Sequence, residues 1–257
     1  MTAIVDLAGK RGLVVGIANE HSIGAGCARA FREAGADLAV TYLNEKAEPF
    51  VRPVADELSA ELVGPCDVRI AGQLEAVFDG ITKRWGRLDF LLHSIAFAPR
   101  EDLHTSLVNC SADGFATAMN VSCHSFIRMA KLSLPLMTSG GCLMTVSFYG
   151  ADKVVENYNL MGPVKAALES SVRYLAADLA DKSIRVHAIS AGPVKTRAAS
   201  GIERFDELLD EVRKHTPAKK LVSIEEIGKV AAFLASDAGS PLTGSVTYAD
   251  AGFHIMA

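Results

Sequence analysis

Three features of the sequence predict an α/β fold built on a doubly wound parallel sheet of about seven strands. Short apolar runs alternate with longer segments of helical periodicity. The short runs are continuously apolar, as strands covered on both faces must be. The chain shows no internal repeat, no low-complexity tract and no Pro/Gly-rich linker, so one domain over residues 1–257 is the simplest account.

The elements follow in order. Leu13-Val14-Val15-Gly16-Ile17 has the pattern of a buried strand. A helix is expected over Ser22–Ala34, with Ile23, Cys27, Ala30, Phe31 and Ala34 at helical spacing and Gly35 as its stop. The next strand is Leu38–Tyr42, and further strands are expected at Glu61–Val63, Leu88–His93, Cys142–Ser147, Arg185–Ser190 and Ser245–Tyr248. Helical stretches separate them at Leu74–Trp85, Phe115–Met137, Val164–Leu179 and Ile224–Ala235. The least regular stretch, Ala191–Val222, suits a segment that covers a site.

Composition narrows the function classes. About half of the 257 residues are apolar, enough for a sizeable core. A net charge of −4 and a pI near 6.0 argue against nucleic-acid binding. No apolar run reaches the roughly 18 residues of a membrane helix, and Met1–Lys10 does not read as a signal peptide. Cys27, Cys66, Cys110, Cys123 and Cys142 are odd in number and widely spaced, without a C-x-x-C. They read as reduced, mostly buried thiols of a cytoplasmic protein rather than as metal ligands.

The first strand ends at Gly16 and runs into Ile17-Ala18-Asn19-Glu20-His21-Ser22-Ile23-Gly24-Ala25-Gly26. Glycine allows a sharp turn and close approach to a phosphate. Ser22 stands at an expected helix N-cap, where free N–H groups attract an anion. This turn is longer than a G-x-G-x-x-G, but its place at the first βα junction favours a dinucleotide. The second strand's tip, where the adenosine ribose is read, carries Leu43, which is neither acidic nor basic, with Lys46 nearby. That favours NADH and leaves NADPH open. Asp67 and Val68 follow the third strand and could hold the adenine edge; Asp67 could equally cap the next helix.

Tyr158 and Lys165 are seven residues apart, nearly two helical turns, so both can face one way. Lys165 leans back toward Tyr158, and an ammonium beside a phenol favours the phenolate and strengthens the acid. Pro163 must then lie in the helix's first turn, with Tyr158 just ahead of the regular helix. A competing pair, Tyr149 and Lys153, falls where a turn is expected.

These residues resemble the short-chain dehydrogenase/reductase superfamily, with its Rossmann-type fold, and within it the divergent NADH-dependent enoyl-acyl-carrier-protein reductases. The strings that carry the resemblance span Lys10 to Phe253. They are Gly16-Ile17-Ala18-Asn19 with Ser22-Ile23; His93-Ser94-Ile95-Ala96-Phe97-Ala98; Asn157-Tyr158-Asn159-Leu160-Met161-Gly162 leading to Lys165; Ala188–Thr196 with Ala198–Ile202; and Asp250-Ala251-Gly252-Phe253. The resemblance implies reduction of a trans-2-enoyl thioester on acyl-carrier protein in fatty acid biosynthesis. It implies that Tyr158 binds the thioester carbonyl and that Lys165 holds the nicotinamide ribose. Gly16, Ser22 and Ile23 would line the pyrophosphate, Asp67 and Val68 the adenine, Ser94 and Ile95 the adenosine and ribose, and Val194 and Thr196 the carboxamide and phosphates, with Leu43 at the adenosine end. Ala98, Met161, Ala198, Ile202 and Phe205 would line the acyl pocket. A homotetramer or dimer is implied, with Phe115–Met137 and Val164–Leu179 as candidate interfaces.

The chain departs from that pattern in three places. Phe148 stands where many members carry a tyrosine, and it cannot donate a hydrogen bond. Gly24-Ala25-Gly26 is unusually small, and Pro163 is unusual. A ketoreductase using Tyr149, Lys153 and Asn120, and a non-catalytic nucleotide sensor, are the alternative readings. Lys195–Lys220 carries seven Lys/Arg against five Asp/Glu, a possible docking face for an acidic carrier.

Overall fold

The computed structural model describes residues 4–196 and 203–256. Seven parallel strands form one sheet in the order β3-β2-β1-β4-β5-β6-β7. They are β1 (Arg11–Val15), β2 (Asp37–Tyr42), β3 (Glu61–Pro65), β4 (Phe90–His93), β5 (Gly141–Phe148), β6 (Ile184–Ala191) and β7 (Val246–Ala249). The connections are α1 (Ile23–Glu33), α2 (Glu48–Glu57), α3 (Gln73–Trp85), the short α4 (Arg100–Leu103), α5 (Ala112–Met119), α6 (Ser125–Ser133), α7 (Met161–Asp178), α8 (Phe205–His215) and α9 (Ile224–Ala235). All seven expected strands are present, each within two residues of its expected bounds.

Both faces of the sheet are covered. Leu38, Val40, Phe90, Met144 and Ile189 pack with α1, α2 and α9 on one side. Leu13, Leu91, Leu143, Val186 and Ala188 pack with α3, α6 and α7 on the other. Phe31 meets Phe90 with ring centroids 4.7 Å apart. Burying such a side chain fully contributes about 1.5–3 kcal/mol.

Local chemistry ends the helices. Gly35 (φ 98°) stops α1, and Gly86 (φ 64°) caps α3 after Lys83 and Arg84. Ser223 and Glu226 form a reciprocal capping box at the start of α9. Pro163 is the third residue of α7, where its missing N–H costs no helical bond.

One expectation is corrected and two stretches are located. The helix expected over Phe115–Met137 is two helices, α5 and α6, joined by a π turn at Asn120–His124. Here Ser125 Oγ donates to the Val121 carbonyl (2.6 Å), and the Ser122 hydroxyl turns away to the Phe97 backbone. These polar demands widen the turn. The irregular stretch Ala191–Val222 contains an 11-residue amphipathic helix, α8, burying Phe205, Leu209 and Val212. The helix that alternation calls for between β2 and β3 lies at Glu48–Glu57, a stretch not located in the sequence because Pro53 obscures its pattern.

The glycines of α1 have a packing role. A Cβ on Gly26 would stand 2.4 Å from the Ile224 carbonyl, and one on Gly228 would stand 2.4 Å from the Gly26 carbonyl. Backbone meets backbone between α1 and α9, which accounts for the small residue at position 26.

Candidate active site

Strand order reverses between β1 and β4, and the carboxyl ends of the strands there open onto a crevice. A cavity of about 210 Å³ sits at this point. Its walls come from the β1–α1 turn, the loop after β4, the end of β5, the start of α7 and the segment after β6.

Gly16 shapes the first wall. It has φ 109°, and a Cβ there would lie 2.1 Å from the Ser94 carbonyl oxygen. Only glycine lets these two backbones touch. The Ser22 hydroxyl donates to the Asn19 carbonyl (2.7 Å) and makes no cap bond to α1. Ala25 and Gly26 donate to the Ser22 carbonyl (3.0 and 3.1 Å), which leaves the N–H groups of Ile23 and Gly24 for an anion.

Tyr158 sits in a turn just ahead of α7, flanked by Asn157 (φ 62°) and Asn159 (φ 39°). Asparagine tolerates this left-handed backbone. Asn159 Nδ2 holds the turn by donating to the Leu103 carbonyl (2.9 Å). The Tyr158 ring lies 4.8 Å from that of Phe148, centroid to centroid. Gly150 leaves room for it, since a Cβ there would come within 2.4 Å of the ring. Burial, and then the Glu169 carboxylate, push the phenol's pKa well up. Burial thus holds Tyr158 in its neutral form, against the acid-strengthening pull expected of a nearby ammonium.

Lys165 is 4 % exposed, and its ammonium donates to the Val146 carbonyl at 2.7 Å. Burial lowers its pKa to about 8, against an upward pull from Glu169 and Cys123. His93, ending β4, is fully buried between Thr145 Oγ1 (2.8 Å) and Ser125 Oγ (2.7 Å). Desolvation, and then the Lys165 charge, hold its pKa down to about 3. Phe97 is fixed through both its N–H and its carbonyl by Ser122 (2.9 and 3.0 Å).

The structure gathers most of the candidate residues. Gly16, Ser22, Ile23, Ser94, Ile95, Ala98, Tyr158, Met161, Lys165, Val194, Thr196 and Phe205 all line the cavity. Leu43, Asp67 and Val68 do not. Leu43 is about half exposed. Asp67 does not cap α3, because its carboxylate takes a bidentate bond from Arg69 (Nε 2.9 Å, Nη2 2.7 Å). The Arg69 side chain and amide lower its pKa. Ala198 and Ile202 lie outside the described residues. Ala18, Phe97, Leu103, Ser147, Phe148 and Pro193 also form walls and were not singled out as such by motif. Their signal is positional, since each neighbours a motif residue or ends a strand.

The competing pair separates. Tyr149 begins a 3₁₀ turn, Lys153 is exposed beside Asp152 (3.7 Å), and neither lines the cavity. Asn120 is exposed and faces His124 Nδ1 at 3.4 Å. In the Lys195–Lys220 stretch Lys195, Arg204, Arg213, Lys214 and Lys220 each have a carboxylate neighbour, which removes most of the free positive charge. All five cysteines are free thiols, and Cys110 alone of the five is not buried. Among the described residues no helix is long and apolar enough to cross a membrane.

Fold and cavity together define a Rossmann-type, doubly wound α/β protein with its ligand crevice at the topological switch point. The family model described as Enoyl-(Acyl carrier protein) reductase matches residues 16–254. The enoyl-acyl-carrier-protein reductase (NADH) 1 of Rhizobium meliloti (strain 1021) is 46% identical over 248 residues, 96% of this chain and 91% of that one. The crystal structure of the corresponding NADH reductase from Aquifex aeolicus VF5 superposes with a TM-score of 0.95 at 44% identity, covering 99% of both chains. The reductase of Anaplasma phagocytophilum, solved in complex with NAD, gives 0.93 at 42% identity, covering 99% of this chain and 97% of that one. The chain belongs to the enoyl-acyl-carrier-protein reductase family.

Proposed function

We propose that this protein reduces trans-2-enoyl thioesters carried on acyl-carrier protein to acyl thioesters with NADH, in fatty acid biosynthesis. The observation that carries this reading is the convergence of a buried, protonated Tyr158 and a buried Lys165 on one largely apolar cavity beside the Gly16 turn. The cradle fits a dinucleotide. Gly16 and the start of α1 would take the pyrophosphate, Ser94 and Ile95 the adenosine ribose, Val194 and Thr196 the carboxamide end, and Lys165 the nicotinamide ribose. Asp67, Val68 and Leu43 would border the adenosine outside the enclosed part.

When bound, the dinucleotide supplies a hydride to the substrate's β-carbon. The chain's own part is electrostatic. Tyr158 donates a hydrogen bond to the thioester oxygen, where negative charge develops, and its neutral state makes this donation possible at any physiological pH. Ala98, Met161 and Phe205 line the acyl side and exclude water. Phe148 adds apolar surface against the Tyr158 ring but no proton. A cytoplasmic homotetramer or dimer, joined through α6 and α7, completes the reading.

NADH consumption with an enoyl thioester tests it. Tyr158→Phe should lower kcat by about 10²–10³-fold, the usual cost of one oxyanion donor, with cofactor binding kept. Wild-type protein without turnover, or an unaffected variant, sinks the proposal.

A further inference from the structure

Behind Lys165 lies a carboxylate that none of the motifs includes. Glu169 sits one turn further along α7, so the two side chains share a helix face. It is 9 % exposed, among Leu168, Val172 and other buried residues of that helix. Its Oε1 accepts from Ser147 Oγ at 2.5 Å. Ser147 directly follows Val146, whose carbonyl takes the Lys165 ammonium at 2.7 Å. Two adjacent residues of β5 thus grip two residues of α7 one turn apart.

The surroundings of this pair are polar in a patterned way. Ser147, Ser190 and Tyr248 are neighbours in register on β5, β6 and β7, and so point to the same face of the sheet. Ser190 Oγ is buried with no hydrogen-bond partner. The same face also carries the bonded pair His93 and Thr145, so polar groups gather toward the carboxyl ends of these strands. Burying a carboxylate costs several kcal/mol unless it is paired and hydrogen-bonded. Its placement here asks for a role.

We propose that Glu169 is a positioning residue for the proposed reduction: anchored by Ser147, it keeps Lys165 charged and aimed at the cavity. This rests on the functional reading above. The charged groups around the pair are few. Lys165 faces Glu169 on its own helix, Cys123 on the π turn and His93 on β4. Glu169 faces Lys165 and Arg173 on α7, Asp152 after β5 and Tyr248 on β7. His93 is held neutral by burial, and on Glu169 the Arg173 charge outweighs that of Asp152. Burial raises the Glu169 pKa, while the Ser147 hydrogen bond and the Arg173 and Lys165 charges pull it back; the charge so kept opposes the desolvation of Lys165.

The decisive experiment titrates the isotope-labelled Lys165 ammonium by NMR, assigned with Lys165→Met, in wild type and Glu169→Gln. The wild-type midpoint should lie near about 8. Glu169→Gln should lower it by about one pH unit, and the alkaline limb of kcat should fall with it. Glu169→Asp, which keeps the charge, should restore most of the difference. Identical midpoints in wild type and Glu169→Gln overturn the proposal. If Glu169→Gln does not fold, Ser147→Ala serves instead. Without its donor the carboxylate is destabilised, so the Lys165 midpoint should again fall, and an unmoved one overturns the idea. The titration needs no turnover. A protein that shows the shift but reduces no enoyl thioester fails the activity reading alone.

Discussion

At the scale of single residues, the site works by burial offset with chosen partners. Tyr158 is held as a neutral phenol first by burial and then by the Glu169 charge. His93 is the most consequential buried group outside the reaction itself. Both ring nitrogens are held by hydroxyls from β5 and α6, so the ring stays neutral and ties the sheet to the helix layer. Its folded pKa near 3 lies below the roughly 6.5 of an unfolded histidine. Between these values the unfolded chain binds a proton that the folded chain does not. Its contribution to stability is therefore complete above pH ~6.5 and is lost as pH falls toward ~3. Denaturant unfolding of wild type and His93→Gln should show this. The variant should be weaker at neutral pH, and the gap should shrink by about 2 kcal/mol on going to pH ~5. A gap independent of pH would show that His93 is not held neutral.

At the scale of elements, the β strands were legible because buried parallel strands need continuous apolar runs. Their ends moved by a residue or two, since hydrogen bonding to a neighbour rather than side-chain type sets where a strand stops. Helices whose pattern is broken by a local exception were harder to read. The π turn in Asn120–His124 arises from hydroxyls that serve the Phe97 loop and His93, partners distant in sequence. Arg185 is a similar case. From β6 its guanidinium donates to carbonyls at the end of α9, Leu234 (2.5 Å) and Ser236 (3.2 Å), an ending no local signal announces. The contact of α1 with α9 yields the prediction at this scale. Gly26→Ala should destabilise the protein by about 1–3 kcal/mol, because the added methyl meets a carbonyl rather than a movable side chain. Urea unfolding measures it. An unchanged midpoint would mean that the two helices can slide apart freely.

At the scale of the whole molecule, the sheet brings turns from distant parts of the chain to one crevice, and its outer helices remain available for assembly. Tyr174, 73% exposed on α7, lies beside Ile127 and Leu175 in a shallow hollow between α6 and α7. Tyrosine is enriched in interface cores and sparse on free surfaces of this kind. For the proposed dimer or tetramer, Tyr174→Glu should shift the protein to a smaller species in sedimentation, since it would place charge in that contact. The same assembly state in variant and wild type would remove α7 from the interface.

Alternating periodicities, the long glycine turn and the Tyr158–Lys165 spacing were enough, in the sequence alone, to identify the doubly wound sheet and its family and to put forward Tyr158 and Lys165 as the chemistry-bearing pair, because each rests on local geometry or short-range motif. Tertiary structure decided what those signals could not carry. Gly26 serves helix packing, Asp67 is engaged by Arg69, and burial favours the neutral form of Tyr158. Glu169 and Ser147 became visible only when β5 and α7 were set side by side. The reason is common to all four. Charge state and contact depend on which backbone and side-chain groups arrive from elsewhere in the chain, and on how much water they displace.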